Sequence, residues 1–347
     1  MPTEVHGQGD LPEIDLDIAI THVGTAWELL RGQNIFITGG TGFVGKWLLA
    51  TLKRARQARQ LDCRITILSR QPDDFARDCS FLDPSWMKMC KGDVRHFAFP
   101  LGEHAVVIHA ATDVARQSNF KDMLETCGAG TERVLAFAKQ AHAKKFHLVS
   151  SGAVYGRQPH DMSAMPESYS WSDSATEDLD AYTLGKRQAE LLTRNAQSQS
   201  ACSFTISRCF ATVGPMLPLD GRFAIGNFIR DILCDRNIQL ASDGTSVRSY
   251  LYAADLAGWL WSIILRGRNG AIYNVGSSDP VSIYALAARV AVALDSTAQV
   301  HIGPKIEPSL RYVPDISLVS NELGLLQTVD LDRAIQRTAR HYDWKLQ

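Results

Sequence analysis

A doubly wound parallel α/β sheet with a smaller C-terminal substrate-binding lobe is the fold this sequence predicts, on three observations. From residue 34 onward, short runs of Ile, Val and Leu alternate with longer amphipathic stretches. A glycine-rich turn joins the first apolar run to the first amphipathic one. After about residue 200 the rhythm loosens, and a Pro/Gly-rich stretch at 214–226 leaves it. Strands that are apolar throughout and separated by helices belong to a parallel sheet covered on both faces.

Taken in order, residues 18–30 set Ile20, Val23, Trp27 and Leu30 at helical spacing, which predicts a leading helix packed on the body. Residues 34–38, 64–68, 105–110 and 145–150 predict strands, with helices over 44–58 and 123–143 between them. Residues 205–208 and 271–275 predict two further strands of the sheet. Helices are expected over 223–234, 253–265, 282–294 and 331–341. There is no internal repeat or low-complexity tract.

Composition excludes several classes of function. The 347 residues are 45 % apolar and 21 % charged, which is globular rather than disordered. Lys and Arg number 36 against 37 acidic residues, a net charge of −1 with no basic run. That balance provides no electrostatic footprint for nucleic acid or an anionic membrane. No apolar run reaches the roughly 18 residues of a spanning helix; the densest, 251–265, is interrupted by Asp255. Cysteines 63, 79, 90, 127, 202, 209 and 234 are odd in number and never spaced Cys-x-x-Cys, against a disulfide framework or a zinc site. The start is acidic (Glu4, Asp10, Glu13, Asp15, Asp17), unlike a secretory signal. A cytoplasmic enzyme without nucleic-acid, membrane or metal partners is expected.

The glycine turn carries the first chemical signal. Gly39, Gly42 and Gly45 enclose Thr41, Phe43 and Val44 between a strand and a helix start. Glycines there let the backbone approach a pyrophosphate, and the helix N-terminus presents unpaired N–H groups to its charge. At the tip of the second strand stand Ser69 and Arg70. An acidic residue at that tip would accept from the ribose 2′-hydroxyl of NAD, whereas a guanidinium binds the 2′-phosphate of NADP. NADP(H) is therefore favoured, while Asp73 and Asp74 leave NAD(H) open. Asp93, after a third short segment, is either an adenine contact or a turn cap.

The second signal is Tyr182-Thr183-Leu184-Gly185-Lys186 at the start of a predicted helix, after Asp178 and Asp180. Residues four apart share a helical face, so Tyr182 and Lys186 project together. An ammonium about 4 Å from a phenol contributes on the order of 4 kcal/mol at an effective dielectric of about 20. That lowers the phenol's pKa from about 10 towards neutrality, where it exchanges protons. Ser151 ends a predicted strand, where sites of open α/β sheets lie. His109 and His147 sit at strand ends, and Trp259 and Trp261 on an apolar helix; packing is the expected role of all four.

These segments resemble the extended short-chain dehydrogenase/reductase family, in its nucleotide-sugar epimerase, dehydratase and reductase branch, over residues 33–342. The resemblance rests on the glycine turn, Gly92-Asp93-Val94, Ile108-His109-Ala110-Ala111, Ser151 before Val154-Tyr155-Gly156, and Tyr182 with Lys186. It continues through Ser207-Arg208-Cys209-Phe210, Asp243-Gly244-Thr245 before Arg248, Tyr273-Asn274-Val275-Gly276, and Asp315 before Glu322-Leu323-Gly324. It implies a Rossmann NAD(P)-binding domain at 34–207, joined by strands near 246–278. A nucleotide-sugar lobe would follow at 208–245 and 279–347, with 1–33 as a helical extension.

The same resemblance implies roles. Tyr182 would be the acid/base, Lys186 would hold the nicotinamide ribose, and Ser151 would bind the reacting oxygen beside Gly152. Asp93 and Val94 would lie near adenine, Ala110 and Ala111 along the cofactor channel, and Asn227 and Arg248 at the diphosphate of a nucleotide-diphosphate sugar. Dehydratases of the branch follow the serine/threonine position with Asp-Glu; here Gly152 and Ala153 stand there, so dehydration loses its acid and base. Ala211 and Cys127 replace asparagines common in the branch. The long segment 157–181 would cover the sugar. NADPH-dependent reduction of a nucleotide-linked 4-keto-6-deoxy sugar is the implied reaction, and the leading helix with Trp27 is similar to that of dTDP-4-keto-6-deoxyglucose reductases. A nucleotide-sugar 4-epimerase is the alternative, and a non-catalytic NADP sensor or scaffold an alternative of another class. A homodimer through two long helices is implied, with 139–143 and 191–196 bordering apolar surface.

Overall fold

In the computed structural model, which describes residues 10–112, 119–170, 180–221, 223–305 and 309–342, the apolar runs pair as expected. The strands are β1 (Asn34–Thr38), β2 (Arg64–Ser69), β3 (Met87–Lys91), β4 (Val106–His109), β5 (Lys145–Ser151), β6 (Ser203–Cys209) and β7 (Ile272–Val275). They form one parallel sheet in the order β7-β6-β5-β4-β1-β2-β3. The central strands carry apolar residues on both faces because each face enters a separate core. Ile35, Ile37, Ile65 and Ile67 join one side, with Trp47 and Trp261. Phe36, Phe146 and Phe204 point the other way and pack with Phe97 and Phe137. The chain winds outward from β1 to β3, then crosses back to β4. The carboxyl ends of β1 and β4 therefore diverge and open a crevice.

Among the helices around this sheet are α1 (Glu13–Val23), α2 (Phe43–Ala58), α3 (Phe120–Gln140), α4 (Ala181–Gln197), α5 (Ala253–Arg266) and α6 (Leu331–His341). The leading helix starts earlier than expected and breaks at Gly24, whose φ of 60° ends α1; a 3-10 turn, Gly24–Leu30, completes the stretch. Trp27 and Leu30 are buried as the spacing predicted. The densest apolar run of the sequence is α5, a core helix buried along its length up to Leu265. Trp259 and Trp261 lie within it, fully buried, and Trp261 Nε1 donates to the Leu48 carbonyl. No described helix is long and apolar enough to cross a membrane.

Helix α1 and the segment from Thr328 to Arg337 are fastened to this region. Tyr252 and Arg337 donate to the buried Asp15 carboxylate of α1. His22 Nε2 lies 2.7 Å from Asp255 Oδ1, and Asp255 also accepts from the Thr328 hydroxyl and the Thr328 and Val329 amides. Buried carboxylates persist only when so fully bonded. The lobe holds a small three-stranded sheet in which Val247–Arg248 lies between Val281–Ser282 and Arg311–Tyr312.

Candidate active site

A cavity of about 740 Å³ occupies the crevice at the carboxyl ends of the strands. The glycine turn forms its floor. Gly39 has φ +71°, and a Cβ there would come within 2.5 Å of the Ala110 carbonyl; one on Gly45 would meet Gly39 O at 2.2 Å. Only glycine permits β1, α2 and the loop after β4 to approach so closely. Thr41, Gly42, Phe43 and Val44 line the cavity above this contact.

A directed chain of hydrogen bonds fixes the loop carrying Ala110 and Ala111, both of which line the cavity. The Thr131 hydroxyl donates to the Cys127 carbonyl, so its oxygen accepts from His109 Nε2 at 3.0 Å. His109 Nδ1 then accepts from the Thr38 hydroxyl at 2.8 Å, and Thr38 Oγ1 accepts from the Ala111 amide at 3.1 Å. Burial holds His109 neutral, its pKa pushed down to about 3. His147 is equally buried, between Thr205 and Ser207, and likewise down to about 3. Both histidines are buried and hydrogen-bonded through both ring nitrogens, and among the described residues no cluster could hold a metal.

At the β2 end, Ser69 and an exposed Arg70 line the cavity. Ser69 Oγ accepts from the Gln71 amide, and Asp74 on the next turn pairs with Arg77. Asp93 and Val94 line the same end. Asp93 is clamped by Arg95, whose backbone and side chain both donate to it, and the clamp holds its pKa down at about 2. It is thus a turn-capping carboxylate as well as a cavity residue.

The helix α4 begins at Asp180, whose side chain accepts from the Thr183 amide at 2.7 Å; Asp178 lies outside the described residues. One face of the helix delivers Tyr182 and Lys186 into the cavity beside Ser151. Lys186 Nζ is buried and donates to the Val149 carbonyl at 2.8 Å, standing 5.8 Å from the centre of the Tyr182 ring. This corrects the expectation that the ammonium depresses the phenol. Burial pushes the Tyr182 pKa well above the usual tyrosine range, with a Ser151 hydrogen bond opposing it, and burial pushes Lys186 down. Desolvation outweighs a charge already engaged by a backbone carbonyl.

Two substrate residues are corrected. Asn227 does not reach the cavity: its amide bonds the Gly221 backbone in both directions and braces the 214–226 loop. Gly152 is not itself a lining residue; a Cβ there would meet the Phe210 ring and the Tyr312 hydroxyl, which do line the cavity. Arg248 does line the cavity, its guanidinium 5.6 Å from the Tyr312 ring centre. None of residues 157–170 lines it; Gln158 and Met165 are instead bonded to Val313 and Asp315. The rest of the segment expected to cover the sugar, 171–179, lies outside the described residues. Tyr312 and Cys209 were not anticipated. Tyr312 comes from a two-residue strand, too short to leave any periodicity in the sequence.

On the expected helix face for self-association, Leu191 is exposed, but 139–143 presents Lys139, Gln140 and His142 while Ala141 is buried. The end of α3 spends its apolar residues on the core.

Residues 35–276 match the model of the NAD dependent epimerase/dehydratase family. UDP-glucuronic acid decarboxylase 2 of Arabidopsis thaliana is 25 % identical over 307 residues, 88 % of this chain and 67 % of the relative. A probable dTDP-glucose 4,6-dehydratase of Sinorhizobium fredii is 25 % identical over 89 % of this chain and 93 % of its own. Among solved structures, an epimerase of Methanothermobacter thermautotrophicus shares the fold with a TM-score of 0.78 at 20 % identity, covering 93 % of this chain and 96 % of its own.

Proposed function

This chain belongs to the NAD dependent epimerase/dehydratase family, and from that premise we propose that it reduces a nucleotide-linked 4-keto-6-deoxy sugar, such as dTDP-4-keto-6-deoxyglucose, with NADPH. The observation that carries the reading is the acid–base inventory of the cavity. Among the described lining residues, Asp93 is the one carboxylate, and it sits at the β2–β3 end under Arg95. At the two positions after Ser151 stand Gly152 and Ala153, where elimination of water would need a carboxylic acid and base. Proton transfer by a phenol is the chemistry left.

The glycines let the turn pack backbone to backbone against Ala110 and the start of α2, with Thr41, Gly42, Phe43 and Val44 lining the cavity, which fits a dinucleotide's pyrophosphate. Gly39, Gly42 and Gly45 would hold that group, Arg70 the 2′-phosphate, and Lys186 the ribose nearest the reacting carbon. When bound, the nicotinamide supplies hydride to the keto carbon. Tyr182 gives its proton to the oxygen as negative charge develops there, and Ser151 donates a hydrogen bond to the same atom. A phenol that burial keeps protonated at neutral pH is suited to giving a proton rather than taking one. Arg248 would steady the sugar's diphosphate.

Arg70, at an end of the cavity where the one lining carboxylate is already engaged by Arg95, supports NADP(H) over NAD(H). The unpaired thiols support a reducing, cytoplasmic setting, and exposed Leu191 and Phe120 on α4 and α3 support a homodimer through those helices. Purified protein given NADPH and the keto-sugar should consume the two one for one, followed by absorbance at 340 nm. Interconversion of UDP-hexoses with no net NADPH loss would identify a 4-epimerase instead.

A further inference from the structure

One buried carboxylate joins a helix to two strands of the sheet. Glu190 lies on α4 four residues after Lys186, so Tyr182, Lys186 and Glu190 share a helical face. Its Oε1 accepts from the Ser150 hydroxyl of β5 at 2.6 Å. Arg208 of β6 holds the same carboxylate in a two-pronged pair, Nε to Oε1 at 3.0 Å and Nη2 to Oε2 at 2.7 Å. Ser150 and Arg208 are partners in the β5–β6 register, and all three side chains are buried.

The counter-ion is itself fixed. The Arg208 guanidinium lies 4.6 Å from the centre of the Tyr155 ring, and the Tyr155 hydroxyl donates to Asn274 Oδ1 on β7 at 2.8 Å. With Lys186 bonded to the Val149 carbonyl, two consecutive residues of β5 are tied to α4 one helical turn apart. The next residue along is Ser151. A buried ion pair contributes little to stability compared with apolar side chains of the same volume, whereas removing one partner is costly. What the pair does supply is a set distance and direction between the elements it joins.

We propose that Glu190 is a positioning residue for proton transfer, with Arg208 as its counter-ion: by accepting from Ser150 it fixes the end of β5, and with it Ser151, against the Tyr182 turn of α4. Neither Glu190 nor Arg208 lines the cavity, so both act through Ser150. The proposal rests on the reading in which Tyr182 is the proton donor and Ser151 binds the reacting oxygen.

Ser150→Ala cuts the tie to β5 and leaves the ion pair intact, so the fold should persist. Its kcat should fall about 5- to 10-fold, the worth of one hydrogen bond, with KM within about two-fold. Ser150→Thr, which keeps the hydroxyl, should restore it. In a Tyr182→Phe background Ser150→Ala should add nothing. Glu190→Leu with Arg208→Met removes the pair whole, and should reproduce the kcat loss at a melting temperature near wild type. A readout free of turnover comes from ζ-¹³C tyrosine: the Tyr182 resonance, assigned by its loss in Tyr182→Phe, should move in Ser150→Ala and return in Ser150→Thr. Full kcat in either the alanine or the double variant, equal losses with and without the Tyr182 hydroxyl, a rise in KM alone, or an unmoved resonance would overturn the proposal. Wild-type protein that turns over no keto-sugar or UDP-hexose would sink the reading of function, while the resonance still decides the role of the Ser150–Glu190 bond.

Discussion

Lys186 Nζ donates to the Val149 carbonyl at 2.8 Å, and this bond ties the first turns of α4 to the end of β5. The Tyr182 phenol and Ser151 are thereby held in register by a buried ammonium. Tyr182→Phe removes only the hydroxyl, so turnover should fall by about 10²- to 10⁴-fold while NADPH affinity, read by fluorescence titration, stays near wild type. Lys186→Met also leaves the Val149 carbonyl unpaired, and should weaken cofactor binding and lower the melting temperature together. A Lys186→Met protein with unchanged melting temperature would show that the bond to β5 contributes nothing to the fold.

Arg70 is the residue expected to separate the two dinucleotides. If it meets the 2′-phosphate, Arg70→Ala forfeits a charge-assisted contact worth about 1.5–3 kcal/mol. NADPH affinity should then drop by roughly 10- to 100-fold, with NADH affinity hardly changed. Isothermal titration with both cofactors decides this, and equal losses for the two would remove Arg70 from cofactor selection.

Acid should destabilise the protein earlier than its carboxylates alone would. His109 and His147 are held neutral in the fold, with pKa values down at about 3, while an unfolded histidine titrates at about 6.5. Between those values the unfolded chain binds more protons, so stability falls as pH drops below about 6.5. At pH 5 each histidine costs about 2 kcal/mol. Urea midpoints measured from pH 7.5 to 5 should decline accordingly, and a flat profile over that range would contradict the burial of both rings.

Gly152 is closed to substitution. A methyl there meets Phe210 ring carbons and the Tyr312 hydroxyl at 2.7 Å, so Gly152→Ala should cost about 1–3 kcal/mol from overpacking. Gly152→Asp, which restores the dehydratase residue type, should yield no dehydratase activity because the site behind it is already filled. Product NMR with dTDP-glucose reads that outcome.

Asp15 is fully buried, and its carboxylate depends on Tyr252 and Arg337. Arg337→Met removes the cation and leaves the charge stranded, an expected loss of about 3–5 kcal/mol. Chemical denaturation monitored by tryptophan fluorescence measures it, since Trp27 and Trp261 pack together nearby.

Much of this molecule is legible in its sequence because the signals are local. The glycine turn, the Asp180 cap with Tyr182 and Lys186 one turn apart, and the short apolar strands each occupy fewer than a dozen residues, and each lands where expected. What was not legible depends on neighbours far along the chain. Asn227 reads as a ligand contact until the fold turns it onto Gly221. The phenol of Tyr182 reads as acidified until the fold buries it, and burial raises its pKa instead. Tyr312 enters the cavity only because its two-residue strand pairs with Val247–Arg248. The break at Gly24 is visible as a residue, but the packing of α1 on α5 decides that the helix stops there.

The bond between Asp15 and Arg337 joins residues 322 positions apart. Arg54 of α2, which donates to Asp17 of α1, is synthesised soon after that helix, whereas the cation that neutralises the buried Asp15 comes only with α6. A carboxylate buried without its cation is costly, so the full seating of α1 has to wait for a segment synthesised far later.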